Sequence, residues 1–286
     1  MDRSKIVTVD SGEPGKIVTI MAGVHGNEPC GVQALDELSG TLKVVRGKVH
    51  LTYGNPRAIE GNVRQTDMNL NRAFRPNSQL LPGEEETYER GRALEIMPFL
   101  AESDALLDLH SSSSEESTPF VICEPHSFWI AARLPFPIRS WGWDAIHPGG
   151  TDYFVNRSGG FGICVECGYH LDPEAPRRAR DAIIAFLSLF DLSESPDQPG
   201  RYSQREIYAH GIYHTKTDFT PAKKFADFEP VAAGQVVGVD GSLEVRVKRG
   251  GIIIFPRASD KPNQEAFALG KETNISTSLR SAVLFD

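Results

Sequence analysis

The chain has 286 residues, 40% hydrophobic and 24% charged, with a formal net charge of -8 at pH 7. That length buries a full core and favours one large domain or two smaller ones. No apolar run approaches the ~20 residues of a membrane span. The acidic balance argues against nucleic acid as a partner, and no hydrophobic segment follows Met1-Asp2-Arg3-Ser4-Lys5 as a secretory signal requires. A small anion is still compatible, because a few arginines create local positive potential in an acidic protein. The four cysteines, Cys30, Cys123, Cys164 and Cys167, are too few and scattered for a disulfide scaffold, so a reducing cytoplasm is the expected compartment.

In chain order, residues 16–22 read as a strand that runs into Gly23-Val24-His25-Gly26-Asn27-Glu28-Pro29. Pro29 opens a helix carrying Val32, Leu35 and Leu38 on one face. A strand over 49–53 leads into Gly54-Asn55-Pro56-Arg57-Ala58, and the polar run at 67–74 follows. A helix is expected over 84–102, interrupted at Pro98. Strands follow at 105–109, 120–123 and 161–166, then a helix through 182–187 with Asp172 as its N-cap. Nearly continuous apolar strands are covered on both faces, and their alternation with helices predicts an α/β domain with a mainly parallel sheet.

The turn-rich stretch 191–200 reads as a linker. Beyond it, short β-like runs at 235–239, 243–247 and 252–255 are separated by glycines and predict a small all-β module. The expected division is therefore 1–195 and 205–286.

His25 and Glu28 stand three apart in a glycine-bearing turn between a strand and a helix N-terminus, and His110 ends the 105–109 strand. Ligands bind at the carboxyl ends of strands in open α/β sheets. His, Glu and His with a fourth position left to water form a catalytic zinc set. Taken singly, each has a blander reading: a surface histidine, or a carboxylate favoured by the helix dipole.

Those three residues, the 54–58 and 67–74 segments, and Cys164-Val165-Glu166-Cys167-Gly168 resemble the succinylglutamate desuccinylase/aspartoacylase family, itself akin to zinc carboxypeptidases. The resemblance covers roughly 16–170, and the string at 23–28 is its most specific part. It implies a carboxypeptidase-like mixed, mainly parallel sheet flanked by helices. It also implies one Zn2+ per chain on His25, Glu28 and His110, with Glu166 as general base and Arg57 as polariser of the scissile carbonyl. Asn71 and Arg72 would clamp a substrate carboxylate. The family commonly has an acidic residue two before the Asn-Arg pair; here that position is Asn69, with Asp67 two further back.

These residue types suit the chemistry on their own terms. A carboxylate inside an apolar strand has a raised pKa and can accept a proton from water. An arginine meets developing negative charge, and the planar fork of Arg72 matches a carboxylate. Tyr153, after Gly149-Gly150-Thr151-Asp152, is a further candidate substrate contact in a mobile wall. Ser111-Ser112-Ser113-Ser114 reads as a flexible loop. Cys164 and Cys167 face opposite sides of a strand and are expected in the core. His126, His147, His170, His210 and His214 show no spacing that ties them to the metal set.

Residues 228–238 look like the opening of a lipoyl-like barrel-sandwich module and 250–256 like its closing strand. The turn at 239–242 lacks a lysine, so no cofactor is attached there. In the resembling family such a module narrows the active-site mouth. The expected activity is hydrolysis of a small N-acyl amino acid. The alternatives are a carboxypeptidase or peptidoglycan-type peptidase, and a metal- or ligand-binding protein without catalysis. The expected partner is a small N-acyl amino acid or a short peptide with a free carboxylate, with no nucleic acid and no membrane; a homo-oligomer is left open.

Overall fold

The computed structural model describes residues 2–193 and 200–274. Its strands are β1 Val7–Asp10, β2 Ile17–Ala22, β3 Lys48–Tyr53, β4 Ala105–Ser112, β5 Phe120–Cys123, β6 Ile138–Trp141, β7 Phe161–Tyr169, β8 Arg205–His214, β9 Phe219–Pro221, β10 Glu229–Val231, β11 Val236–Asp240, β12 Leu243–Arg246, β13 Gly251–Ile254 and β14 Glu265–Thr273. Its α-helices are α1 Pro29–Ser39, α2 Pro56–Gly61, α3 Tyr88–Glu102, α4 Phe128–Ala131, α5 Trp143–Ile146, α6 Thr151–Arg157 and α7 Ala175–Leu189.

One mixed sheet runs in the order β1-β3-β2-β4-β7-β5-β6-β8-β14-β13-β10, and a small sheet in the order β12-β11-β9. The pairs β3/β2, β2/β4 and β4/β7 are parallel, as the strand–helix alternation requires. β6 pairs in parallel with β8, so the region beyond residue 200 continues the same sheet before turning into antiparallel β14, β13 and β10. No helix among the described residues is long and apolar enough to cross a membrane.

The period-two alternation of strands decides where chemistry sits. Leu107 and Leu109 of β4 and Ile163, Val165 and Cys167 of β7 pack with Leu35 of α1 and Ile183 of α7 on one face. Leu106 packs with Met21, Ile96 and Val155 on the other. Asp108 and His110 share the parity of Leu106, and Cys164 and Glu166 are opposite in parity to Ile163 and Val165. All four therefore face the α3/α6 side, and register puts His110 beside Glu166 and Asp108 beside Cys164. The two cysteines do point to opposite faces, and both are buried and free.

Two helix boundaries depart from expectation. Pro98 does not interrupt α3, which runs through it to Glu102. The carbonyl deprived of a donor belongs to Leu94, a residue 53% exposed on the solvent side of the helix. Residues Glu84–Glu86 instead form a separate 3-10 turn, and Thr87 caps α3 by accepting from the Arg90 amide at 3.2 Å. Glu174, not Asp172, is the N-cap of α7. Asp172 lies two residues earlier, accepting from the Glu174 amide at 2.9 Å and pairing with Arg178 at 2.6 Å.

Candidate metal centre and its pocket

The turn after β2 is compact because two glycines allow it. Gly23 has φ +65°, and a Cβ on Gly26 would lie 1.9 Å from the backbone carbon of Ala58. The backbone of 23–28 thus lies against α2 and turns His25 and Glu28 inward. Glu28 is the N-cap residue of α1, yet its side chain makes no capping bond. Its carboxylate lies between two imidazoles: His25 Nδ1 is 2.8 Å from Oε1 and His110 Nδ1 is 2.9 Å from Oε2. The ligand atoms of His25, Glu28 and His110 fall within 4.8 Å of one another, and all three residues are buried.

This donor set fits a divalent metal. His25 Nδ1 is buried and, although Glu28 Oε1 lies 2.8 Å away, makes no hydrogen bond of ordinary geometry among the described residues, while the outer nitrogen is held: Nε2 lies 3.0 Å from Asn69 Oδ1. His110 Nε2 lies 3.1 Å from Asp108 Oδ2, which also accepts from the Thr151 hydroxyl at 2.6 Å. A carboxylate or amide on the outer nitrogen fixes ring orientation and tautomer in metal sites. Burial, with Arg64 adding to it, pushes the His25 pKa down to about 4, so the ring is neutral as a ligand must be.

Glu166 sits next to this set on β7, with Oε2 buried and unpartnered among the described residues. Burial, and next the charge of Glu28, raises its pKa well above the ordinary carboxylate value. A cavity of about 760 Å³ opens above these groups.

The structure brings His25, Glu28, His110, Glu166, Asn71 and Arg72 to that one cavity. It does not bring Arg57 there. Arg57 is exposed at the start of α2, its guanidinium 4.1 Å from the centre of the Tyr88 ring, and it does not line the cavity. The α2 helix turns it outward, and another arginine seven positions later reaches the cavity. Arg64 lines the cavity with Nη1 3.1 Å from Glu28 Oε1. Tyr153 is also absent from the lining: it is buried in α6 with Arg157 stacked on its ring, while Gly150 and Asp152 of the same segment face the cavity. That segment is the first turn of α6, so it is not an open loop.

The loop 66–72 carries Asn71 and Arg72 and is held by one carboxylate. Glu89, wholly buried in α3, accepts from the amides of Thr66, Asp67 and Met68 and from Asn55 Nδ2 at 2.9 Å. Asn69 then accepts from the Asn71 amide at 2.9 Å, starting the 3-10 turn Leu70–Arg72. Asn69, where the family commonly has an acid, thus both braces His25 and caps this turn.

Three histidines read as unrelated to the metal set, His147, His170 and His214, line the cavity, as do Ser111 to Ser114. Ser111 and Ser112 belong to β4 and are not loop residues, and His170 Nδ1 lies 2.8 Å from the Ser111 hydroxyl. Residues 255–265 and Ile212 form the far wall, so the chain beyond residue 200 narrows the mouth. Arg64 was legible as a second arginine before the Asn-Arg pair; Asp108, Arg257 and Glu265 carried no local signal.

The model of the succinylglutamate desuccinylase/aspartoacylase catalytic domain matches residues 14–189. An N-acyl-aromatic-L-amino acid amidohydrolase (carboxylate-forming) from Xenopus tropicalis is 32% identical over 129 residues, 42% of this chain and 41% of that protein. A probable aspartoacylase from Prochlorococcus marinus is 29% identical over 170 residues, 54% of each chain. The chain thus spans about half the length of the curated relatives it matches. A crystal structure of succinylglutamate desuccinylase from Vibrio cholerae superposes with a TM-score of 0.75 at 18% identity, covering 94% of this chain and 86% of that one. The matched region contains every cavity residue contributed by the first two-thirds of the chain, and on that ground the protein belongs to the succinylglutamate desuccinylase/aspartoacylase family.

Proposed function

We propose that the protein is a zinc-dependent hydrolase that cleaves the amide bond of a small N-acyl amino acid to an amine and a carboxylate. The observation that carries this reading is the buried His25–Glu28–His110 set with unpartnered Glu166 on the adjacent strand. A zinc ion on the three ligands would act as a Lewis acid that brings the pKa of water towards ~7. Glu166, kept basic enough by burial, takes the proton of the attacking water and returns it to the leaving nitrogen. Arg64 is the preorganised cation for negative charge developing on the carbonyl oxygen. Asn71 and Arg72 orient the substrate carboxylate, and the wall at 255–265 limits substrate size. The buried, unpaired thiols suit a reducing compartment such as the cytoplasm.

Metal analysis should find about one zinc per chain, and chelation followed by zinc should abolish and restore turnover of acyl amino acids. Hydrolysis of peptides in preference to N-acetyl, N-succinyl or N-formyl amino acids would replace this reading with a carboxypeptidase.

A further inference from the structure

Arg72 is not alone at the clamp. Its Nη2 lies 2.8 Å from Glu265 Oε1, and Arg257 Nη2 lies 3.5 Å from the other Glu265 oxygen. His147 also contacts Glu265, and Arg72 Nη1 donates to the Asn71 carbonyl at 2.6 Å. Arg72, His147, Arg257 and Glu265 all line the cavity. Glu265 is held rigidly: Arg257 donates Nε to its carbonyl at 2.8 Å, and the Asn263 and Gln264 amides donate to Thr215 at 2.7 and 2.9 Å. Burial, then Arg72, pushes the His147 pKa down to about 4, so that ring adds no charge at neutral pH. The clamp therefore holds two guanidinium groups against one carboxylate. Arg64 is offset by Glu28, and Lys261 and Asp260, exposed at the mouth, offset each other. Asp144 and Asp152 line the same cavity.

We propose that Glu265 is a specificity-determining residue: by neutralising one of two clamp arginines it leaves one net positive charge and selects acyl amino acids with a single carboxylate over dicarboxylates. This rests on the deacylase reading above. A second substrate carboxylate meets Glu265, Asp144 or Asp152 instead of a free cation. Discrimination by a repulsive charge built against the wrong ligand is a general route to specificity.

The test compares N-acetylglycine with N-acetylaspartate on the zinc-loaded wild type and Glu265→Gln. The wild type should favour N-acetylglycine in kcat/KM by about tenfold. Glu265→Gln should bring the two within about threefold, chiefly by lowering KM for N-acetylaspartate, a change that mere loss of support would not produce. Glu265→Asp should keep the wild-type order. A wild type that prefers N-acetylaspartate, or a ratio unmoved in Glu265→Gln, overturns the proposal. If neither acid is hydrolysed and N-succinyl and N-formyl amino acids are inert as well, the deacylase reading fails. Calorimetry then decides the charge argument on its own: N-acetylglycine should bind more tightly than N-acetylaspartate, and equal, reversed or absent binding overturns it. Should Glu265→Gln not fold, Arg257→Gln removes the surplus cation and should weaken binding of N-acetylglycine about tenfold; unchanged binding overturns the proposal.

Discussion

At the scale of single residues, two arginines separate what a motif suggests from what a fold delivers. Arg57 follows the Asn-Pro of the segment after β3, but α2 directs it onto Tyr88, while Arg64 reaches the cavity. Arg64→Ala should therefore lower kcat by about 10²–10³, the usual cost of losing an oxyanion-stabilising donor, while Arg57→Ala should stay within about twofold. Glu166→Gln should retain zinc by metal analysis yet lose about 10²–10⁴ in turnover; full activity would remove Glu166 as the base. His147 supplies a pH signature. Its folded pKa is about 4 against an ordinary 6.5, so the unfolded chain binds its proton first as pH falls. Its contribution to stability is present above pH 6.5 and is lost between 6.5 and about 4. His147→Asn should flatten the fall of Tm across that window by the equivalent of about 1–2 kcal/mol.

At the scale of elements, the site depends on how loops are pinned. Glu89 gathers three consecutive amides and the Asn55 side chain, and Asn55 in turn caps α2 through the Ala58 amide at 3.1 Å. Glu89→Ala would leave four donors without their acceptor, two of them in buried bonds, and should cost about 1–3 kcal/mol by denaturant unfolding, with KM rising as the loop at 66–72 loosens. A loss under about 1 kcal/mol would show that water replaces the carboxylate. Pro98→Ala should raise stability by restoring the bond to the Leu94 carbonyl, read as an increase in Tm. The strands themselves were legible in the sequence: residues 17–22, 120–123 and 161–166 are apolar on both faces because helices cover both faces of the sheet. Helix ends were less legible, since Asp172 and Glu174 both offer a carboxylate and only the chain path decides which one caps.

At the scale of the whole molecule, residues 205–273 complete both the sheet and the pocket. β8 covers the edge of β6, and the connection from β13 to β14 supplies the wall carrying Arg257 and Glu265. A division at 195 and 205 remains a proposal, and expression of residues 1–199 alone tests it. We expect that fragment to aggregate through the uncovered β6 edge, and a monomeric, stably folded fragment by size exclusion would establish two independent units. By itself the sequence determined that His25, Glu28 and His110 would meet, because a glycine turn carrying His25 and Glu28 and a strand ending in His110 are local patterns whose geometry follows from strand and turn rules. It also placed Glu166 on a strand beside that set, where the structure has it buried at the cavity. Only tertiary structure decided which arginine lines the cavity and which carboxylate faces Arg72. Those pairings join residues as far apart as 72 and 265, and no local periodicity records a contact between segments that meet only when the sheet is complete.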